Sequence, residues 1–210
     1  MNIDLHCHTY PASSCSNMSI EDLVNKAKEL GLGGICLTEH NKPWNREEVQ
    51  RIGAELGFPV FRGMEVTTKD GDILVFGLHE AVGGVPTASE LRRQVVDVGG
   101  YMIAAHPFRG FLMFGFSELS LTPERASGRA IFQHVDAIEA YNCKVTRRET
   151  EIAFEVAERL GLPCVAGSDA HTVDDVGKFS TRFEKNISSE NELIAELAAG
   201  RFSIEPLRET

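Results

Sequence analysis

The sequence predicts a single-domain α/β fold over residues 1–210, a compact (β/α) barrel of about seven strand-helix units. Three observations lead to this fold class. Apolar segments of strand length alternate with capped helices, several of these segments end in polar residues, and the chain has 210 residues. The alternation indicates parallel strands joined by right-handed crossovers. Polar strand ends converge at the mouth of a barrel, whereas an open sheet spreads them along a line.

The predicted strands are short apolar segments that follow one another along the chain. The first begins at the N-terminus and ends in His6-Cys7-His8. Six more are expected at residues 34–38, 59–62, 73–78, 101–105, 136–141 and 162–166. Residues 107–128 show no clear periodicity and are assigned to no element.

The predicted helices are recognised by their capping residues. Each begins at a serine, threonine or asparagine, whose side chain caps the free N–H groups of the first turn. Thr146 with Glu149, and Ser189 with Glu192, have the spacing of a capping box. The expected helical spans are 19–31, 45–57, 87–100, 146–161 and 189–199.

Composition and charge exclude several classes of protein. With a formal charge of −10 and a pI near 5.2, the chain has no basic stripe for a nucleic-acid backbone, so nucleic acid is not expected as the main partner. Five cysteines without a Cys-x-x-Cys pair do not form the pattern of a disulfide framework. No signal peptide precedes the first strand, and no apolar run approaches the roughly 18 residues that a membrane span needs. We therefore expect a soluble, cytoplasmic protein without a membrane partner, in which Cys7 is a core residue.

A metal site is the first functional hypothesis, because His6 and His8 stand two positions apart in a predicted strand. Alternate side chains of a strand share one face, so the two imidazoles lie side by side at a separation that suits one ion. Five further short segments of the chain also end in metal-competent residues, namely His40, Glu65, Asp72, His106, and Asp169 with His171. For the remaining two histidines, His79 and His134, we expect structural roles.

Five motifs, taken in their order along the chain, resemble those of a known protein family. The ordered segments Asp-Leu-His-x-His, Thr-Glu-His-Asn, Gly-x-Glu, His-Pro and Gly-Ser-Asp-Ala-His, beginning at Asp4, resemble the polymerase and histidinol phosphatase (PHP) family of metal-dependent phosphoesterases. The similarity extends to about Phe183 and includes residues 137–142. It implies a distorted seven-stranded (β/α) barrel that binds two or three divalent metal ions, usually zinc, manganese or iron, and that hydrolyses phosphate esters.

The resemblance also implies a distribution of ligands. The first metal is surrounded by His6, His8, Glu65 and Asp169, Glu65 bridges to a second that His106 also holds, and His40 and His171 hold a third. Two positions depart from the family pattern. Ser13 stands where many members have aspartate, which makes the third metal the least supported. Asp72 stands where many members have histidine, and it is either a ligand that favours harder ions such as manganese or a turn residue.

Two carboxylates, Asp4 and Glu39, are assigned to the surroundings of the metals, where they orient metal-bound imidazoles. Clustered cations activate a water for attack on phosphorus, so no side-chain nucleophile is required. We expect Asp169, Glu65 and Arg109 to take part in catalysis, with Asp169 or a histidine accepting a proton.

Substrate recognition is assigned to basic residues after two of the predicted strands. Arg109 is placed to bind phosphate, and Arg147 or Arg148 either adds a second contact or is a solvated part of a first helical turn. Four phenylalanines follow His106 and form either a lid or a locally buried loop: Phe108, Phe111, Phe114 and Phe116.

The primary functional hypothesis is metal-dependent hydrolysis of a small phosphorylated metabolite or nucleotide. Two alternatives stay open: a catalytically silent metal-binding module of PHP type, and a hydrolase that uses the same activated water on a substrate without phosphate. The sequence specifies neither the oligomeric state nor whether the substrate is a monoester or a diester.

Overall fold

Two mixed β-sheets, each of five strands, form the framework of the protein. The structure is a computed structural model and describes residues 1–110 and 122–204. The described strands are β1 (Asn2–Cys7), β2 (Gly34–Leu37), β3 (Val60–Arg62), β4 (Met64–Thr68), β5 (Gly71–Phe76), β6 (Tyr101–Ala104), β7 (Ala137–Tyr141), β8 (Cys164–Ala166), β9 (Thr181–Phe183) and β10 (Phe202–Ile204). The described α-helices are α1 (Ile20–Glu29), α2 (Arg46–Leu56), α3 (Ala88–Asp97), α4 (Pro123–Ser127), α5 (Arg147–Leu160) and α6 (Glu190–Ala198).

The five predicted helices are present and begin at the predicted caps. Thr146 and Glu149 form a complete capping box at the start of α5. At α6, Ser189 accepts the N–H of Glu192, but the Glu192 carboxylate accepts from Ser188 instead of the cap residue, so the predicted box is only half formed. The short helix α4 lies in the stretch for which no element was predicted.

Parallel pairing was expected throughout, and this expectation is wrong around β5. The first sheet has the order β10-β9-β1-β2-β3, with β1, β2 and β3 parallel and β9 antiparallel to both of its neighbours. The second has the order β4-β5-β6-β7-β8, in which β5 is antiparallel to β4 and to β6. Thr68 pairs with Gly71, so a two-residue turn joins β4 to β5, and such a turn permits only antiparallel pairing.

The two sheets meet through isolated bridges rather than through a continuous ladder. Cys7 pairs with Ala170, and His40 pairs with Glu65. Within residues 1–110 and 122–204 the strands do not close into a barrel, so the α/β architecture is confirmed and the seven-unit barrel is not. These bridges bring the ends of β1, the segment after β2, β4 and the segment after β8 to one place.

The core consists of three apolar clusters around this framework. One cluster lies between the sheets and includes Leu5, Leu74 and Ile103, while two others pack the outer faces against the helices. Cys7 is fully buried in the cluster beneath α1, as predicted. The longest described helix, α5, has 14 residues, and none of the helices in the described ranges is long and apolar enough to cross a membrane.

Candidate metal centre

The predicted ligands gather at the edge where the two sheets meet. His6 lies in β1 and His8 directly after it, His40 follows β2, and His106 follows β6. Asp169 and His171 follow β8. Glu65 was expected after the strand at residues 59–62, but it is the second residue of β4, whose bridge to His40 places it in the same site. The structure thus brings together all the predicted ligands except Asp72.

Three overlapping groups of side chains have ligand atoms within 4.8 Å of one another. The groups are His6/His8/Asp169, His6/Glu65/His106 and His8/His40/His171. The resemblance put His6, His8 and Asp169 around one ion and His40 with His171 around another, and both associations recur. The grouping of His8 with His40 and His171 was not anticipated.

The first group fits one shared cation. The Nε2 atoms of His6 and His8 lie 3.0 Å apart. Asp169 Oδ1 is 3.4 Å from His6 Nε2 and 3.3 Å from His8 Nε2. Two nitrogen or oxygen ligands of a tetrahedral zinc ion lie roughly 3.3 Å apart, because each bond is about 2.0 Å long. The donor atoms therefore already have the separations that a divalent ion requires.

Glu65 contacts histidines from every part of the site. Its Oε1 lies 2.9 Å from His106 Nε2. Its Oε2 lies 3.1 Å from His40 Nδ1, 3.4 Å from His8 Nε2 and 3.6 Å from His6 Nε2. A carboxylate whose two oxygens face different histidines is suited to bridge two cations.

The third group is more open to solvent than the other two. The His8 ring stacks between those of His40 and His171, with centroids 4.4 and 4.5 Å away. His40 is exposed, and its Nε2 lies 3.4 Å from the thiol of Cys15, a contact that the sequence analysis did not anticipate. The Ser13 hydroxyl takes no part in this group.

Ser13 instead connects His8 to Glu39. Its hydroxyl donates a short hydrogen bond to Glu39 and lies 3.4 Å from His8 Nδ1. Glu39 also accepts from the Thr9 N–H and the Trp44 indole. The sequence analysis placed Glu39 behind a metal-bound imidazole, and the structure puts it there, acting through a serine.

Asp4 has a different role from the one expected. Its carboxylate accepts from the backbone N–H groups of His6, Ser168 and Gly177, so it holds the chain of β1 against the segment that carries Asp169. The carboxylate beside the His6 ring belongs to Glu139, 2.9 Å from Nδ1. Sequence reasoning gave Glu139 no role, although a glutamate inside the apolar strand 137–141 was a usable signal.

Electrostatics keep the buried carboxylates ionised. Burial by itself would raise the pKa of Glu65, but the positive charge of His6 and hydrogen bonds from histidines hold it well below its usual value. The pKa of Asp169 is lowered against burial by the charge of His6 and the hydrogen bond from His8. Conversely, burial would lower the pKa of His6, while Glu139, Asp169 and Glu65 raise it. Both carboxylates are therefore anionic and available as ligands.

Backbone strain accompanies the site. Asn41, His106 and Asp169 have φ angles of 57°, 28° and 53° and are the described non-glycine residues in the left-handed region. All three belong to segments with predicted ligands. Strained backbone of this kind persists only where surrounding contacts impose it.

Asp72 and Arg109 lie beside the centre rather than within it. With His106 and Arg129 they line a cavity of about 320 Å³. Asp72 belongs to none of the three groups found among the described residues, and its backbone pairs with Thr67. Its assignment as a ligand stays a prediction. Arg109 reaches the centre directly, because its Nη1 lies 3.3 Å from Asp169 Oδ2.

The other basic residues proposed for substrate face elsewhere. Arg147 is 86% exposed and pairs with Glu151 of its own helix, and Arg148 pairs with the same glutamate, which favours the solvated first turn. Lys144, on the loop before α5, is close enough to the centre for its charge to act on His171. Burial lowers the pKa of His171, and the charges of His8 and Lys144 lower it further.

Several remaining residues can be placed briefly. His79 Nδ1 accepts a 3.2 Å hydrogen bond from the Arg62 guanidinium, and His134 follows the short 3-10 helix Ala130–Gln133. Neither histidine belongs to the metal groups found among the described residues. Phe108 is buried, which favours the buried-loop reading for that residue. The proposed lid residues Phe111, Phe114 and Phe116 lie outside the described residues.

Fold and site together define an α/β protein with a buried, multinuclear candidate metal centre. The family model described as PHP domain matches residues 4–128, and the one described as PHP-associated matches residues 147–202. Because the first model alone covers more than half of the chain, the protein belongs to the PHP family.

Similar proteins are distant in sequence. An uncharacterized protein of Methanocaldococcus jannaschii is 26% identical over 197 residues, which cover 92% of this chain and 75% of that protein. A protein of Caldicellulosiruptor saccharolyticus described as a probable phosphatase is 24% identical over 207 residues, which cover 85% of this chain and 83% of that protein.

Two solved structures show the same fold. One is a two-domain protein from Bacteroides vulgatus that contains a predicted PHP-like metal-dependent phosphoesterase; its TM-score is 0.72 at 20% identity, with 98% of this chain and 64% of that chain covered. The other is histidinol phosphate phosphatase from Lactococcus lactis in complex with zinc, L-histidinol and phosphate. Its TM-score is 0.51 at 17% identity, with 82% of this chain and 87% of that chain covered.

Proposed function

We propose that this protein hydrolyses phosphate esters with two or three divalent metal ions, zinc, manganese or iron, and that its substrate is a small phosphorylated metabolite or nucleotide. The observation that carries the proposal is the position of Glu65, whose two oxygens face His106 on one side and His8 with His40 on the other. The relative described as a probable phosphatase and the zinc complex of a structural neighbour support the same chemistry.

The metal ions, when bound, lower the pKa of water and polarise the phosphoryl group. The protein supplies the arrangement around them. His6, His8, Glu65 and Asp169 are buried, whereas His40 at the edge of the centre is exposed. Exclusion of water strengthens the attraction between an anionic phosphate and the cationic residues of the site.

Arg109 is the proposed phosphate-binding residue. Its side chain is 48% exposed, and one guanidinium nitrogen contacts Asp169. The rest of the planar fork faces the cavity shared with Asp72, where it can bind two phosphate oxygens at once. Asp169 stays ionised because of its lowered pKa, so it serves as an anionic ligand and as an acceptor of the hydrogen bond from the attacking water.

The two alternatives make different demands on the same residues. A silent metal-binding module needs the ligands but not Arg109, and a hydrolase of a substrate without phosphate has no use for a phosphate-binding arginine beside the metal centre. The contact of Arg109 with Asp169 therefore favours a phosphate ester as substrate. A single domain and a cytoplasmic location remain part of the proposal.

The test is elemental analysis of the purified protein combined with a hydrolysis screen over phosphomonoesters, phosphodiesters and nucleotides, with added zinc, manganese or iron. We expect two or three ions per chain and metal-dependent release of phosphate or alcohol. Glu65→Gln should lose metal and activity together, because the amide presents one acceptor oxygen where the carboxylate presents two. Full metal content with no hydrolysis of any phosphate ester would refute the phosphoesterase and leave the silent module and the hydrolase of a substrate without phosphate, and full activity of Glu65→Gln would refute the proposed centre.

A further inference from the structure

One buried carboxylate, that of Glu139, links ligands of two neighbouring groups. Its Oε1 lies 2.9 Å from His6 Nδ1, and its Oε2 accepts a 2.9 Å hydrogen bond from the backbone N–H of His106. The side-chain amide of Asn142 donates a further bond of 2.9 Å to Oε2. The residue is 1% exposed, so these three contacts replace its hydration. A buried carboxylate with such partners is held in one orientation.

The contact with His6 determines which ring nitrogen is free. Oε2 of Glu139 already accepts from two N–H groups, and Oε1 lies at hydrogen-bond distance from the ring, so Nδ1 is the ring nitrogen that donates to this carboxylate. In the neutral form of the ring, the form that binds a metal ion, Nε2 then has the free lone pair and faces His8, Glu65 and Asp169, all within 3.6 Å. A carboxylate behind a metal-binding histidine also increases the basicity of the ligating nitrogen.

The contact with His106 determines the position of the second ligand. His106 has a φ of 28°, which is a strained conformation for a residue with a side chain. Its N–H is directed at Glu139 and its ring at Glu65 Oε1, so the strained peptide is anchored on one side and the ring on the other. The strain is therefore maintained by the same carboxylate that fixes the His6 ring.

Gly167 provides the space for this arrangement. A Cβ atom at this position would lie 2.7 Å from Glu139 Oε1 and 2.6 Å from the Cβ of His6, distances at which atoms must move. The absence of a side chain in the Gly-Ser-Asp-Ala-His segment therefore permits Glu139 to approach His6.

We propose that Glu139 is a positioning residue that presets His6 and His106, and thereby the groups His6/His8/Asp169 and His6/Glu65/His106, for metal binding. This inference rests on the metal binding in the proposed function, and it makes no use of the phosphate ester. Loss of the carboxylate should weaken both groups together, because one side chain serves both. Removal of such a partner typically lowers metal affinity by about 10- to 100-fold.

The experiment measures zinc affinity by competition with a chelator in wild type, Glu139→Gln and Glu149→Gln. Glutamine keeps the size of the side chain, but its NH₂ group must face either His6 or the His106 N–H, which breaks one of the two contacts. Glu149, 3% exposed and bonded to Thr146, is the matched control because it is a buried glutamate outside the centre. We expect a loss of at least about 10-fold for Glu139→Gln and wild-type affinity for Glu149→Gln, with circular dichroism confirming folded protein.

A second measurement needs no variant. Nitrogen-15 NMR of the histidine side chains in the zinc-loaded wild type should show His6 protonated at Nδ1 and zinc-bound through Nε2. Zinc bound through Nδ1, or wild-type zinc affinity in folded Glu139→Gln, would overturn the inference. If the wild-type protein binds no zinc, manganese or iron at all, the proposed function fails first, so the two failures are distinguishable.

Discussion

Replacing Gly167 by alanine tests how tightly the metal centre is packed. The added methyl group would stand 2.6 Å from the His6 Cβ, 2.7 Å from Glu139 Oε1 and 3.0 Å from the His6 backbone nitrogen. None of these atoms belongs to the free end of a flexible, exposed side chain. Either β1 moves away from the segment after β8, or Glu139 leaves the His6 ring.

The magnitude follows from the cost of overpacking. One extra methyl group in a well-packed interior typically costs about 1–3 kcal/mol. For a chain of this size, each kcal/mol corresponds to roughly 2–4 °C in melting temperature, so we expect Gly167→Ala to lower the Tm of the metal-free protein by about 2–12 °C. Because the displaced groups are His6 and Glu139, zinc affinity should fall in the same variant.

The assay is a thermal melt in the presence of a chelator, followed by zinc titration. Gly83→Ala is the control, since a Cβ at Gly83 meets no atom within 4 Å and its φ is not in the left-handed region. We expect Gly83→Ala to keep the wild-type Tm or to raise it slightly. If Gly167→Ala has the melting temperature and the zinc affinity of the wild type, the close approach of Glu139 and His6 does not constrain position 167.

Three further predictions concern recognition, stoichiometry and pH. Arg109→Ala should raise KM for phosphate esters by about 10-fold or more with metal content unchanged, since a charge-assisted contact is lost; Arg147→Ala, on an exposed helical turn, is the control, and an unchanged KM for Arg109→Ala would remove this arginine from the site. Asp72, expected as either a ligand or a turn residue, lies in β5 beyond the turn; Asp72→Ala should leave metal stoichiometry unaltered if it serves only as a strand residue, whereas elemental analysis showing one ion fewer would make it a ligand. The Tm of the metal-free protein should be highest between about pH 4.5 and 6.5. The lowered pKa of Glu65 gives stability that is lost as the pH falls below that window, and the raised pKa of His6 gives stability that is lost as the pH rises above it; a flat Tm from pH 3 to 9 would contradict both.

Much of the fold could be read from local signals. Helix caps such as Thr146 and the apolar strand segments act over a few residues, so their effect does not depend on the rest of the chain. The hairpin between β4 and β5 was missed although Asp70-Gly71 is a favoured turn dipeptide, because no strand was predicted at residues 64–68 and the turn signal had no strand before it. The contact between the two sheets depends on single bridges between distant segments.

The ligands could be recognised from the sequence because each follows or lies in a strand, and strand ends that meet at one edge bring their side chains together. The sequence alone thus identified the imidazoles and carboxylates that the structure brings together, apart from Asp72, which lies beside them. Tertiary structure decided what surrounds them: Glu139 behind His6, Ser13 between His8 and Glu39, and Asp4 on backbone rather than on a ring. These contacts join residues up to 173 positions apart, as between Asp4 and Gly177, and their direction depends on packing distances that no local pattern of residues encodes.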